Sequence, residues 1–371
     1  MNFEFSDEQQ LLREQAQSFL ADNCSIKKVR ETFESDAPYD QELWQKVIEL
    51  GWTAASIPEK YQGLGLSYLN LCVIAEELGR ALTPIPFSSS VYLATESLIL
   101  YGSEEQKSSF LPKLASGELI GCFASDETRA DPSLDGVQTN FSNGRVSGEK
   151  IPVADGGIAD FAIVLAKKED SNSSAFIVDL NSPEVERIPI KSIDPSRDQA
   201  KLVFHGAPAE ELGDQVSGNI ILDTVYDRAA ILFAWEQVGG SDTALNMAKA
   251  YAMERFAFGR PIASFQAIKH KLANMYVKNT LARSNCYFGA WAISTNSEEI
   301  STAAASARLS STQAFYFSSK ENIQTHGGMG FTWEFDCQIP YRRARLLAAN
   351  IGSEAVWQEK LISSIEASKA A

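Results

Sequence analysis

Hydrophobic and polar positions follow three different patterns along this chain of 371 residues. Up to about residue 119, apolar residues recur at three- and four-residue steps, which is the period of an amphipathic helix. Between about 120 and 220, short β-rich strings separated by turn residues replace that pattern. The strings are Leu119–Ala124, Phe161–Leu165, Ala175–Val178 and Lys201–Phe204. From about 218 to the end the pattern is helical again.

These patterns predict a mostly α protein with a middle β domain. We expect an N-terminal helical domain at 1–119, a small antiparallel β domain at 120–218 and a C-terminal helical bundle at 219–371. Helix starts are indicated by Ser6, with Gln9 three residues on, and by Ser103, because a serine before a helix caps its first amides. The β strings contain no strand–helix–strand units, so a Rossmann domain is not expected.

One stretch, Tyr251–Met275, has unusually clear boundaries. It begins as a helix and stops at Gly259-Arg260-Pro261, since glycine ends helices easily and proline cannot continue one. A second helix restarts near Phe265. Its apolar residues are spaced as one buried stripe, formed by Ile268, Leu272, Met275 and Tyr276.

The composition of the chain argues against several classes of function. A net charge of −15 argues against nucleic-acid binding, which needs cations against phosphates. The five cysteines have no paired spacing and the three histidines form no metal-ligand motif, so reduced thiols and no metal site are expected. The N-terminus has no apolar targeting core, and no run approaches the ~20 apolar residues of a membrane span. These features predict a cytoplasmic protein.

The same stretch carries a specific set of residues in a fixed spacing. The set is Tyr251, Arg255, Phe258, Gly259, Pro261, Ile262, Phe265, Gln266, Ala267 and Ile268. In this pattern the chain resembles the acyl-CoA dehydrogenase family of flavoproteins. Further segments match in the family's order, namely 61–65, 76–80, 103–107 and 111–118, so the resemblance covers essentially the whole chain. An ordinary helical hairpin is the alternative for the stretch taken alone.

The resemblance implies FAD held between the β domain of one subunit and the C-terminal domain of its neighbour. On the side lent to the neighbour, it assigns Arg255 to the FAD diphosphate, with Phe258 and Gln266 beside it. It also assigns Gln324, Gly327 and Gly328, because glycines allow backbone amides to approach an anionic cofactor closely. A plain glycine turn between helices is the alternative for these last residues.

On the side that faces the flavin ring, the chain departs from the family. Ser125 stands where the family often has a threonine that bonds the ring, and a simple strand residue is the alternative. Val153 occupies a neighbouring ring position and has no hydroxyl to give, although its backbone amide could still donate. Ser353, in the last position of the family's Glu-Gly-Thr segment, is also assigned a cofactor contact by the resemblance.

The catalytic base is the largest departure. Most family members take a Glu from the Glu-Gly-Thr segment, and here that position is Ile351, which cannot accept a proton. A minority place the base just before an Arg near the start of the C-terminal domain. That position is Asp227, followed by Arg228, which the resemblance places near the CoA thioester. A helix-capping, ion-paired or solvent-facing role is the alternative for Asp227.

Two functions follow from the resemblance. The first is an FAD-dependent acyl-CoA dehydrogenase that desaturates an acyl-CoA at its α,β-carbons, uses Asp227 as base and passes electrons to an electron-transfer flavoprotein. The alternative is a non-catalytic partner subunit of a hetero-oligomeric acyl-CoA dehydrogenase. Either way a homo-oligomer, or a hetero-oligomer with a related subunit, is expected.

Overall fold

The structure is a computed structural model that describes residues 6–127, 137–169, 172–213 and 216–370. Helices form both ends of the described chain and strands form its middle, which confirms the predicted fold class. The N-terminal helices are α1 (Asp7–Asn23), α2 (Ile26–Glu34), α3 (Gln41–Glu49), α4 (Tyr68–Arg80), a π-helix (Ser88–Thr95), α5 (Glu96–Tyr101) and α6 (Glu104–Ala115).

The predicted helix starts are present as complete capping boxes. The Ser6 hydroxyl accepts from the Gln9 amide while the Gln9 side chain accepts from the Ser6 amide. Ser103 and Gln106 form the same reciprocal pair at the start of α6. Each pair satisfies two amides that a helix start leaves without a partner.

The middle region is a closed sheet with one strand added outside it. Its strands are β1 (Gly121–Ala124), β2 (Asn140–Ser142), β3 (Arg145–Ala154), β4 (Phe161–Lys168), β5 (Ser173–Asp179), β6 (Val185–Pro189) and β7 (Gln199–Glu211). Pairing runs β4–β2–β3–β7–β5 and back to β4, with β1 beside β4 and β6 beside β7. Most pairs are antiparallel as expected, but β1 and β2 run parallel to β4.

The C-terminal region is a bundle built on three long helices. They are α7 (Gly218–Glu254), α8 (Gln266–Ser294) and α9 (Ile300–His326), followed by α10 (Gln338–Ala349) and α11 (Glu354–Ala370). A hairpin of β8 (Phe256–Ala257) and β9 (Arg260–Pro261) joins α7 to α8. The first helix therefore ends at Glu254, earlier than the predicted stop at Gly259-Arg260-Pro261, and the second begins at Gln266, next to the predicted restart near Phe265.

The predicted buried stripe on α8 is only partly present. Met275 is fully buried, but Tyr276 is 62% exposed. Neighbouring helix residues point about 100° apart, so these two cannot share one face. The buried face of α8 continues instead through Asn279, Ala282 and Cys286.

Two glycines bring the N-terminal and C-terminal helices into direct backbone contact. A Cβ on Gly79 of α4 would lie 1.9 Å from the backbone carbonyl oxygen of Glu236. A Cβ on Gly239 of α7 would lie 1.9 Å from the backbone carbonyl oxygen of Glu76. No larger side chain fits at either position. This close crossing fixes α7 against α4 and orients the start of α7 toward the β region.

Candidate functional site

A cavity of about 250 Å³ lies where the β region meets the helices. Its walls come from the π-helix, the end of β1, strand β3, helix α7 and the turn after α10. Most of the lining is apolar, including Leu93, Phe123, Phe233 and Leu346. The polar lining includes Ser89, Ser125, Asp126, Gln199 and Asn350, with Arg345 among the lining residues too. A mainly apolar cavity with a few directed polar groups is the usual form of a small-molecule site.

Ser125 lies in this cavity wall, as predicted, and its hydrogen bonds are all internal to the chain. The Tyr226 hydroxyl is 2.6 Å from Ser125 Oγ, and Ser125 Oγ donates to Asp126 Oδ1 at 2.9 Å. The Ser125 carbonyl accepts from Lys150 Nζ at 2.9 Å. Lys150 is fully buried, and it also pairs with Glu127 at 3.0 Å. Ser125 is therefore braced from both its side chain and its backbone.

Val153 does not present its side chain to the cavity. Pro152 and Ala154 line the cavity, whereas Val153 is fully buried and is absent from the described lining. Side chains of a strand alternate between its two faces, so Val153 points to the opposite side from its neighbours. A cofactor contact by this side chain is not supported by the geometry.

Ile351 lines the cavity in a turn that the rest of the chain holds in place. Its φ is +53°, which is uncommon for a β-branched residue, and Gly352 follows at +98°. The buried Arg308 guanidinium donates to the Asn350 carbonyl at 2.7 Å, and Trp357 Nε1 donates to the Ile351 carbonyl at 2.9 Å. Ser353 is half-buried just beyond this turn, at the start of α11, and its cofactor contact stays a prediction.

Asp227 follows the cavity-lining Tyr226 on α7 and is held in an ion pair. Its carboxylate pairs with Lys360 Nζ on α11 at 2.7 Å, and it is absent from the described cavity lining. Burial raises the pKa of the Asp227 carboxyl, and Lys360 opposes that rise. The ion pair commits the carboxylate to α11 in this structure, and its role as the base stays a prediction.

Arg228 is likewise committed to structural partners. It pairs with Glu96 at 3.3 Å, donates to Asn296 Oδ1 at 3.0 Å and lies 5.2 Å above the Tyr68 ring. Burial raises the pKa of Glu96, and the Arg228 charge opposes it. Arg228 is also absent from the described cavity lining, so the predicted contact with the acyl group is not supported.

The residues predicted to serve a neighbour lie on a separate, exposed face. Phe258 occupies the tip of the β8–β9 hairpin with its side chain 95% exposed. Phe258 and Gly259 both have positive φ, as a two-residue hairpin of type I′ requires. A phenylalanine in that conformation is strained and uncovered. Arg255 and Gln266 are exposed at the two ends of the hairpin, and no carboxylate of the described chain pairs with Arg255.

Gly327 and Gly328 lie at the same end of the bundle. Tyr251, one turn before Arg255, stacks on His326 with ring centroids 4.1 Å apart. Gln324 is exposed on the last turn of α9. Gly327 needs glycine for its φ of +61°, but a Cβ on Gly328 would meet nothing within 4 Å. Packing within the chain therefore does not explain Gly328, whereas close approach of an outside group does. We name the exposed face formed by Arg255, Phe258, Gln266, Gln324, Gly327 and Gly328 the lending face.

Comparisons with known proteins agree with this arrangement. Residues 6–118 match the model of the acyl-CoA dehydrogenase N-terminal domain, and residues 219–365 match that of the C-terminal domain. The chain belongs to the acyl-CoA dehydrogenase family. This is a family of flavoprotein oxidoreductases in acyl-CoA metabolism.

Particular relatives share almost the full length of the chain. Acyl-CoA dehydrogenase IpdE2 of Mycolicibacterium smegmatis is 33% identical over 348 residues, covering 94% of this chain and 95% of its own. A solved chain from work on the electron transferring flavoprotein of Acidaminococcus fermentans is 26% identical, with a TM-score of 0.92 over 98% of this chain and 99% of its own. A chain of the ChsE4-ChsE5 complex of Mycobacterium tuberculosis shares the fold at 23% identity, with a TM-score of 0.89 over 99% of this chain and 99% of its own.

The two groups of residues differ in how they fit the flavin cofactor of this family. The lending face offers an unpaired guanidinium and open space over Gly328, which suit an anionic diphosphate. The cavity offers Ser125, whose hydroxyl is already engaged, and no hydroxyl from Val153. The lending face therefore fits its half of an FAD site, and the cavity wall does not fit the ring half.

The sequence analysis did not identify Tyr226 or Asp126. Tyr226 and Phe233 are seven residues apart on α7 and both line the cavity, but no assigned residue shares that helical spacing, so no signal in the sequence pointed to either. Asp126 follows Ser125 directly, and it is the one carboxylate among the described lining residues. In the described part of the chain, no helix is both long and apolar enough to cross a membrane. The described residues also contain no cluster of three or more potential metal ligands.

Proposed function

We propose that this chain is the partner subunit of a hetero-oligomeric, FAD-dependent acyl-CoA dehydrogenase. It lends Arg255, Phe258, Gln266, Gln324, Gly327 and Gly328 to the FAD of a catalytic neighbour. The assembled enzyme desaturates an acyl-CoA at its α,β-carbons and passes the electrons to an electron-transfer flavoprotein. FAD, when bound, supplies the hydride acceptor, while removal of the α-proton requires a carboxylate within reach.

The observation that carries this proposal is the contrast between the two sites. The Phe258 side chain is 95% exposed on a strained hairpin tip beside an unpaired Arg255, so the lending face is built for contact with something outside the chain. In the chain's own cavity, the position of the usual base is Ile351, and the carboxylate of Asp227 lies elsewhere in an ion pair. The lending face keeps the residues that the family resemblance assigns to it, whereas neither family base position puts a carboxylate in the described cavity lining.

Further exposed apolar residues extend the lending face along α8 and beyond. They are Met253, Phe256, Tyr276, Val277, Leu281 and Phe331, each more than half exposed. Several largely exposed apolar residues on the elements that carry a cofactor-binding motif favour a subunit interface. A chain with this fold that was solved as part of the ChsE4-ChsE5 complex supports a pair of different subunits.

A second candidate is the chain as a stand-alone dehydrogenase with Asp227 as its base. The burial of this carboxyl and its raised pKa favour it, because a general base works best with a pKa near the operating pH. Lys360 would then have to release Asp227, and α7 would have to turn the carboxylate toward the cavity. The observed ion pair and helix phase make this the weaker candidate.

The deciding experiment uses the chain purified alone. Its visible spectrum and bound FAD are measured, followed by anaerobic titration with butyryl-, octanoyl- and palmitoyl-CoA. The partner role predicts less than one FAD per chain and no bleaching by any of the three. One FAD per chain that bleaches in the wild type, but not in Asp227→Asn, would establish the stand-alone enzyme instead.

A further inference from the structure

We propose that the cavity of this chain binds a small, mainly apolar molecule that carries a hydroxyl or N–H group, and that Tyr226 Oη accepts the hydrogen bond from that group. Such a ligand site goes beyond the proposed partner role, because it belongs to this chain alone. The size of the cavity and the direction of the hydrogen bonds in its wall together define the ligand.

The cavity has room for a molecule of one or two rings. Its volume is about 250 Å³, whereas an engineered apolar cavity of about 150 Å³ binds benzene. Apolar side chains form most of the lining, among them Leu93, Phe123 and Phe233. Burial of the apolar body of the ligand therefore supplies most of the affinity, and the few polar groups of the lining supply the selectivity.

A hydrogen-bonded chain of three side chains forms one part of the wall. Its members Tyr226, Ser125 and Asp126 all line the cavity. Ser125 Oγ donates to Asp126 Oδ1 at 2.9 Å, and a hydroxyl has only one proton to donate. In the 2.6 Å contact between Ser125 Oγ and Tyr226 Oη, the phenol is therefore the donor. The protons all point one way, from Tyr226 through Ser125 to the carboxylate.

This direction makes Tyr226 Oη an acceptor toward the cavity. Its proton goes to Ser125, its hydrogen-bond partner within the described part of the chain, so toward a ligand the phenol oxygen can only accept. Reversing the chain would break a bond to a carboxylate, which is roughly twice as strong as a neutral one. Hydrogen bonds in series also polarise one another, and a series that ends on a carboxylate makes the phenol oxygen a stronger acceptor. Burial raises the pKa of the Tyr226 phenol well above its ordinary value, so the phenol keeps the proton that it donates.

Ser89 on the π-helix repeats this arrangement elsewhere in the lining. Its hydroxyl donates to the buried carboxylate of Asp155, which is absent from the described cavity lining, so this proton too is directed away from the cavity. Ser88 differs, because its oxygen accepts from Arg197 at 3.0 Å and its own proton is not used in that bond. The requirement for a donor on the ligand therefore applies at Tyr226 and Ser89, and not to the whole lining.

The charge of the wall narrows the ligand further. Asp126 is the one carboxylate among the described lining residues, and an anionic group placed at Tyr226 would lie beside it. Like charges at short range repel strongly where water is excluded. A neutral alcohol, phenol or N–H heterocycle satisfies both conditions, whereas a carboxylate, or a carbonyl oxygen directed at Tyr226, does not.

Indole and benzofuran test the direction of this bond, because the two molecules have nearly the same size and differ at one ring atom. The indole N–H donates, whereas the benzofuran oxygen can only accept. We would measure the dissociation constant of each by isothermal titration calorimetry with the pure chain, as wild type, Tyr226→Phe and Tyr287→Phe. Tyr287→Phe is the matched control, since Tyr287 packs on Trp235 and is absent from the described cavity lining. Thermal unfolding of each variant verifies that it is folded.

We expect the wild type to bind indole about tenfold more tightly than benzofuran, and Tyr287→Phe to keep that preference. Tyr226→Phe removes the accepting oxygen but keeps the ring, so its affinity for indole should fall to that for benzofuran. Ser125→Ala removes the fixed acceptor of the Tyr226 proton, so the preference for indole should shrink there as well, and this variant decides the question if Tyr226→Phe does not fold. Equal affinity of the wild type for the two probes, binding of neither probe, or an indole preference that folded Tyr226→Phe retains would overturn the inference.

The ligand site and the partner role fail separately. If the wild-type chain alone holds no reducible FAD and shows no preference for indole, the partner role stands and the ligand site is wrong. If the wild-type chain alone holds one FAD that acyl-CoA bleaches, the partner role is wrong, whatever the two titrations give.

Discussion

A network of six charged side chains joins four helices at the contact between the N-terminal and C-terminal regions. Its members are Arg13 on α1, Glu76, Glu77 and Arg80 on α4, Asp242 on α7 and Arg283 on α8. Glu76 is at its centre and is 1% exposed. It accepts from Arg13 at 2.7 Å, from Arg80 at 2.9 Å and from Arg283 at 2.7 Å. We predict that Glu76→Gln destabilises the fold more than the removal of any surface ion pair.

The magnitude follows from what the substitution leaves behind. Removing one partner of a buried ion pair costs about 3–5 kcal/mol, because the remaining charge stays uncompensated. The three arginine side chains are 25–28% exposed, so water takes up part of that charge and the lower end, about 3 kcal/mol, applies. An unfolding entropy of about 2.1 cal/mol/K per residue over the chain then gives a Tm lower by about 4 °C.

Differential scanning calorimetry of the wild type, Glu76→Gln and Glu31→Gln tests this reasoning. Glu31 is the control because its ion pair with Lys27 is exposed on both sides, and exposed pairs contribute little to stability. The Glu31→Gln melting temperature should stay at the wild-type value. Equal melting temperatures for the two variants would refute the claim that the network stabilises the contact between the two regions.

Three further predictions each concern a single residue. Burial raises the pKa of Asp155 to about 6, so its ionised form increasingly opposes folding as pH rises from about 4 through 6. Asp155→Asn should therefore be more stable than the wild type by up to about 3 kcal/mol in urea unfolding at pH 7.5 and equal to it near pH 4, whereas lower stability at pH 7.5 would contradict this. Gly328→Ala should leave the Tm unchanged but weaken FAD binding in the assembled enzyme by about tenfold. Gly330→Ala, whose Cβ would lie 2.5 Å from the backbone carbonyl oxygen of Ile323, should lower the Tm. A lower Tm for Gly328→Ala than for Gly330→Ala would contradict the assignment of Gly328. Asp227→Asn should leave flavin reduction in the assembled enzyme unchanged, and a large loss of that reduction would restore Asp227 as the base.

Features that depend on neighbouring residues could be predicted from the sequence. Ser6 and Ser103 cap their helices because the amides they satisfy are only three residues away. Gly259 lies in the break between α7 and α8, where its own φ of +78° permits a tight hairpin. The order of helical, β and helical regions also follows from local periodicity, and the fold class is confirmed.

Features that depend on the rotation of a helix about its axis, or on residues distant in the sequence, could not be predicted from the sequence. Tyr276 lies beside a buried methionine in the sequence, yet the rotation of α8 places it outside. The role of Asp227 depends on Lys360, which is more than a hundred residues away, and that of Ile351 depends on Arg308 fixing its turn. An acidic residue at a family position indicates a base only if the side chain also faces the reacting atoms.

The first turns of α7 show this most directly. Tyr226, Asp227 and Arg228 are consecutive, and each points in a different direction: to Ser125 in the cavity wall, to Lys360 on α11 and to Glu96 on α5. A rotation of α7 that turned Asp227 into the cavity would break all three contacts at once, and the glycine crossing with α4 opposes it. A catalytic base at this position would first have to leave its ion pair with Lys360. That requirement supports the proposal that a neighbouring subunit carries the chemistry and that this chain lends it the cofactor contacts.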